Sequence, residues 1–192
     1  MNSIIKNCIL NSIECKEKIL NNEEMIKKIE IVCEKIIEMY KNNNRIYICG
    51  NGGSAADSQH FAAELVGRFM MEREGLPAIA LTTDSSILTS IGNDYSYDTV
   101  FKRQVEALVK EGDILFVIST SGNSNNLVNA LVEAKQRGAI TIGLLGKTGG
   151  KCKELCDYEI VVDYDKTPCI QESHIMIIHT ICKIVEDTLY EK

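Results

Sequence analysis

The stretch "DILFVISTSGNSNNLVNALVEAKQRG" (residues 113–138) decides how the chain is read. Its apolar run, Ile114 to Ile118, suits a strand buried on both faces. From Leu127 onward, apolar residues recur at helical spacing. Between the two lie Ser119, Thr120, Ser121, Gly122, Asn123 and Ser124, with four hydroxyls and no bulky side chain. A helix start offers unpaired N–H donors and the positive end of the helix dipole. Adding hydroxyls to it makes a neutral cradle for a dianionic phosphate. The alternative is that Ser121 or Ser124 merely caps the helix, for which one hydroxyl suffices.

Working outward, the same strand–turn–helix unit recurs. Strands are expected at 45–50 ("RIYICG"), 77–81 ("PAIAL"), 114–119, 139–146 ("AITIGLLG") and 158–163 ("YEIVVD"). Helices are expected across 52–69, 124–137 and 169–190, with a short one from Gly150. Residues 85–109 carry one or two helices with a break at Gly92-Asn93-Asp94. Two amphipathic helices open the chain, at 2–20 and 23–42; in the second, Met25, Ile29, Val32, Ile36 and Met39 recur every three or four residues. Alternating helices and two-sided apolar strands predict an α/β fold, a doubly wound parallel five-stranded sheet flanked by helices. There is no linker or low-complexity tract and there are only two prolines. Residues 1–192 therefore read as one domain, with the helices of residues 1–44 packing on the core or at a subunit interface.

Composition narrows the function. Net charge is −6 with no basic run, which argues against a nucleic-acid surface. No segment approaches the roughly 20 apolar residues of a membrane span. The opening "MNSIIKNCILNSIECKEKIL" is interrupted by Lys6, Glu14, Lys16, Glu17 and Lys18, so no signal peptide is expected and the setting is cytoplasmic. The eight cysteines form no C-x-x-C; Cys152 and Cys156 lack a second pair, and buried reduced thiols are expected.

In a doubly wound sheet, ligands bind beyond the carboxyl ends of the strands. Two turns there are chemically loaded: the hydroxyl loop and "CGNGGSAADSQH" (49–60), whose glycines permit tight turns and close backbone approach. Neither is a Walker A or a G-x-G-x-x-G motif, and no nucleotide cofactor is expected. His60 and Glu64, four apart, share one face of the helix after the glycine loop, where the alternative is a simple surface contact.

Taken together, "CGNGGSAADSQHFAAEL" (49–65), "ALTTDSSILTSIGNDY" (80–95), "ISTSGNSNN" (118–126), "GLLGKTGGK" (143–151) and "IQESHIMIIH" (170–179) resemble the phosphoheptose isomerases of the sugar-isomerase (SIS) domain family. The resemblance implies a SIS fold and a homotetramer with interfacial active sites. It implies an aldose–ketose isomerase that converts sedoheptulose 7-phosphate to D-glycero-D-manno-heptose 7-phosphate, supplying heptose for surface polysaccharide. Matched position by position, Glu64 and His179 correspond to the catalytic pair, and His60, Glu64, Gln171 and His179 to the ligands of a zinc ion. Asn51, Gly52, Gly53 and Ser54 match the first binding loop; Ser119, Thr120, Ser121 and Ser124 match the phosphate cradle. Asn93, Asp94, Glu64, Gln171 and Arg68, the last taken to end the His60 helix, match further substrate contacts. His174 has no match and reads as structural.

Gln171 and His179 would be about 12 Å apart on one straight helix, whereas zinc ligands lie about 2 Å from the metal. Either Gln171 sits at a loosened helix start, or different copies of the chain contribute. One departure stands out: relatives carry Ala-Arg or Asp-Arg before "IQE", where this chain has Pro168 and Cys169, losing a guanidinium fork. Three rivals keep the fold without this activity or substrate. Binding proteins of the replication-initiator-associating type lack the Glu and His that this chain keeps at 64 and 179; an isomerase of another sugar phosphate stays open on sequence alone. A sugar-phosphate-sensing regulator would carry a DNA-binding module, and the N-terminal helices show no basic recognition face.

Overall fold

A computed structural model of the chain describes residues 1–190. Five parallel strands, β1 (Ile46–Gly50), β2 (Ala78–Ala80), β3 (Ile114–Ser119), β4 (Ile140–Gly146) and β5 (Tyr158–Val162), form one sheet in the order β2-β1-β3-β4-β5. Strand periodicity splits the sheet between two cores. Ile46, Ile48, Ile114, Phe116, Ile118, Ile142, Leu144, Ile160 and Val162 point to one face. Tyr47, Cys49, Leu115, Val117 and Leu145 point to the other. Burial of a side chain such as Phe116 contributes about 1.5–3 kcal/mol.

The first face is covered by α1 (Asn2–Leu20), α2 (Glu23–Lys41), α3 (Gly53–Val66) and α8 (Thr167–Tyr190). The second is covered by α4 (Ser85–Asp94), α5 (Val100–Leu108), α6 (Asn125–Gln136) and α7 (Gly150–Lys153). Met25, Ile29, Val32, Ile36 and Met39 form the buried stripe of α2, and Asn22 caps its start by accepting from the Met25 N–H at 3.0 Å. Helix α1 lies against α8: the Ser12 hydroxyl donates to Glu172, and Cys15 Sγ lies 3.3 Å from Ser173 Oγ. Pro168 falls in the first turn of α8, where its missing N–H costs little. The buried Cys169 that follows offers its carbonyl to Ser173 at 2.8 Å.

Two boundaries differ from expectation. The helix after the glycine loop stops at Val66, not near Phe69, because the chain turns at Gly67 and folds back. Arg68 therefore lies beyond the helix, exposed, 3.6 Å from Glu72. The break expected at Gly92-Asn93-Asp94 falls later: α4 runs through Asp94, and Ser96 starts a 3-10 turn at Tyr97–Thr99 by accepting from the Asp98 N–H at 3.1 Å. A hydroxyl that caps outweighs a glycine that merely lowers helix propensity.

His174 is fully buried on α8, and among the described residues neither ring nitrogen meets a partner of hydrogen-bond geometry, although the Leu145 backbone lies alongside. Burial pushes its pKa down to about 4 from the ordinary 6.5. With the folded pKa depressed, the unfolded chain binds the extra proton first. The folded state is therefore favoured fully above about pH 6.5 and loses ground as pH falls toward about 4, by ~3 kcal/mol. Urea unfolding across that range should show the loss, and His174→Leu should flatten that part of the curve.

Candidate active site

The order β2-β1-β3 places a reversal between β1 and β3, whose residues Gly50 and Ile118 are paired. Both loaded loops leave the sheet on either side of that crevice. They are tied to each other. The Asn51 and Asn126 side-chain amides exchange two hydrogen bonds of 2.9 Å each, and the Tyr97 hydroxyl donates to Asn51 Oδ1 at 3.4 Å. Asn126, only 2 % exposed, was not among the residues the sequence nominated.

Within the hydroxyl loop, Ser119 Oγ accepts from the Gly122 N–H at 3.0 Å and Ser121 Oγ accepts from the Asn123 N–H at 3.3 Å. Ser124 is the residue before α6, yet its side chain makes no cap, and Thr120 and Ser124 are partly exposed. Ser121 and Ser124 thus leave the capping role unfilled. Gly122 has φ +64°, and a Cβ there would meet the Gly149 carbonyl oxygen at 1.8 Å, so only glycine fits beneath the neighbouring loop. The glycine loop is equally close-fitted. Gly52 precedes α3 with φ +57° and no side-chain cap, and Ser54 is buried in the first turn. A Cβ on Gly53 would meet Gln171 Nε2 at 2.2 Å, so the absence of a side chain admits the Gln171 amide against the helix start.

Helices α3 and α8 lie side by side, which brings three donors together farther along. His60 Nε2 is 3.0 Å from Glu64 Oε1 and 3.0 Å from His179 Nε2. The three ligand atoms lie within 4.8 Å of one another. One proton on His60 Nε2 can serve only one of these contacts, whereas a cation between the atoms would satisfy all three. Tetrahedral zinc with bonds of about 2.0–2.2 Å sets its ligand atoms roughly 3.3 Å apart, so this nitrogen–oxygen set fits such an ion. Gln171 does not join them within one chain. It lies inside the regular α8 helix, which begins at Thr167, and against Gly53, so the loosened helix start does not occur. Asn93 and Asp94 are exposed at the end of α4; Asn93 donates to Asp94 at 2.9 Å, and among the described residues no hydrogen bond links them to the two loops.

Behind this cluster stands an ion pair absent from the sequence reading. The side chains of Arg73 and Glu186 are each 1 % exposed and meet at 2.8 Å. Burial alone would raise the Glu186 pKa, but the Met70, Phe69 and Met71 amides and Arg73 outweigh it and hold it down at about 2. A charge on the same face of α8 as Ile178, Cys182 and Val185 was the available signal.

The fold coincides with that of known proteins. A model of the SIS domain matches residues 12–146. The chain is 54% identical over 190 residues to the phosphoheptose isomerase of Clostridium acetobutylicum, covering 99% of this chain and 97% of that one. It is 55% identical over 190 residues to that of Aneurinibacillus thermoaerophilus, covering 99% and 96%. Its structure superimposes on phosphoheptose isomerase GmhA from Neisseria gonorrhoeae with a TM-score of 0.91 at 40% identity, covering 97% and 98%. The chain belongs to the SIS domain family. Within it, the chain stands with the phosphoheptose isomerases, as an isomerase.

If the Asn51–Asn126 pair holds the two loops together, Asn126→Ala should cost about 1–3 kcal/mol in urea unfolding, because the Asn51 amide loses both of its bonds to Asn126 and keeps only the longer one from Tyr97. An unchanged midpoint would mean that the loops are fixed by other contacts.

Proposed function

We propose that this chain interconverts sedoheptulose 7-phosphate and D-glycero-D-manno-heptose 7-phosphate, the entry of heptose into surface polysaccharide, and does so in the cytoplasm. The observation that carries the reading is the convergence of His60, Glu64 and His179, in a chain that also carries a hydroxyl-lined helix start and is about half identical to phosphoheptose isomerases. The binding-protein alternative is not favoured, because such a protein has no use for a proton-transfer pair.

The substrate phosphate would lie against Ser119, Thr120, Ser121 and Ser124 and the uncapped amides of α6. Asn51, Gly52, Gly53 and Ser54 would line the adjoining wall, with Arg68, Asn93 and Asp94 contributing contacts to the sugar. Glu64 and His179 would move the proton. One removes it from C1 of the open-chain ketose; the other serves the oxygens and C2 as the enediol collapses to the aldose. A bound zinc ion, held by His60, Glu64 and His179, would polarise the carbonyl. Gln171 joins that set only from another copy of the chain, which favours sites built between subunits. Helix α1 supports assembly, since Ile5, Ile9 and Ile13 form an exposed apolar stripe at four-residue spacing; a homotetramer is the proposed state.

Glu64→Gln and His179→Gln should each lose about 100- to 10,000-fold in turnover while folding and binding phosphate normally, as read by NMR of the sugar products and calorimetry. Near-normal turnover in either would remove the pair from the mechanism. Ser119→Ala combined with Ser121→Ala should weaken sugar-phosphate binding far more than it weakens folding. Elemental analysis of protein purified without added metal should find zinc in proportion to chains; full activity in chelator with none bound would exclude it.

A further inference from the structure

We propose that Arg73 and Glu186 are positioning residues for this reaction, strapping residues 67–75 so that Phe69 steadies the His179 ring and the last turn of α3 steadies Glu64. The inference rests on the isomerase reading. Glu186 lies seven residues beyond His179 on α8, about 10 Å along the helix, so it touches no reacting atom.

Its carboxylate gathers three consecutive backbone amides: Phe69 at 3.0 Å, Met70 at 2.7 Å and Met71 at 2.8 Å. Arg73 Nε adds a fourth bond at 2.8 Å. The rest of the guanidinium turns back to α3. Nη2 donates to the Glu64 carbonyl at 2.9 Å, and Nη1 donates to the carbonyls of Leu65 at 3.0 Å and Glu74 at 2.9 Å. The Glu64 and Leu65 carbonyls belong to the last turn of α3, where a helix end leaves carbonyls without intrahelical partners. Arg73 is therefore the C-terminal cap of the helix that carries His60 and Glu64. The strapped segment then lays Phe69 beside His179, ring centroids 5.5 Å apart and planes tilted by 36°. His60 flanks the same ring at 5.1 Å.

A fully buried ion pair is a poor way to gain stability, because desolvation offsets most of the attraction. Here it fixes two segments at once, and both carry the proton-transfer groups. Groups that orient reactive side chains commonly change activity by about 10- to 100-fold when removed.

The chain has three histidines, so protein carrying 13C at histidine Cε1 gives three resolvable signals, assigned with His60→Gln and His179→Gln. Phe69→Ala should lower kcat by about 10- to 100-fold with KM within about twofold, and should shift the His179 signal as the Phe69 ring current is lost. Glu186→Gln should move the same signal and lower kcat likewise. If the pair is only structural, both variants keep kcat and Glu186→Gln keeps the His179 signal at temperatures where they are folded, and the proposal falls. Should Glu186→Gln fail to fold, Phe69→Ala decides alone. Should the wild-type chain show no turnover, the isomerase reading fails, while the His179 spectrum still decides whether the strap positions that ring.

Discussion

The parallel pairing of β1 with β3 is the constraint on which the rest depends. Gly50, the last residue of β1, pairs with Ile118, one residue before the end of β3, so the chain leaves each strand toward the same crevice. The two loops make one candidate site together. One supplies glycines that permit close approach, the other hydroxyls at a helix start. The Asn51–Asn126 amide pair makes them one wall. The apolar periodicity of the strands, one residue in two to each core, is what holds that register.

The second dependency is the alignment of α3 with α8. Both pack on the same face of the sheet, and two contacts record their common course: Gly53 with Gln171 at one end, His60 with His179 at the other. Gly53 and His60 are seven residues apart on α3, and Gln171 and His179 eight apart on α8, so the helices run together. This alignment assembles the His60–Glu64–His179 set and also keeps Gln171 out of it within one chain. In the proposed reading, a four-ligand set would take its Gln171 from a second copy of the chain, an assembly that the exposed apolar stripe of α1 would suit.

Much of the fold was legible because the strands are short, apolar and punctuated by turn residues, and because α2 carries an unbroken stripe. The loops were legible through residue type: glycines and hydroxyls between a buried strand and a helix have few uses. What escaped was tertiary. The end of α3 at Val66 depends on Arg73 and Glu186, which are far apart in the chain. Asn126 is distinguished from its neighbour Asn125 only by facing Asn51. The break after α4 turned on Ser96 rather than on the more conspicuous Gly92. In each case a long-range or side-chain hydrogen bond outweighed the local propensity.

The central claim is that this wall and this cluster carry out enediol proton transfer on a phosphorylated ketose. The most direct measurement is NMR of sedoheptulose 7-phosphate incubated with the purified chain in D2O. The account predicts growth of the heptose aldose, with deuterium appearing at its C2 or at C1 of the recovered ketose. Saturable binding of the ketose with neither aldose nor deuterium incorporation would contradict it and leave a sugar-phosphate binding protein.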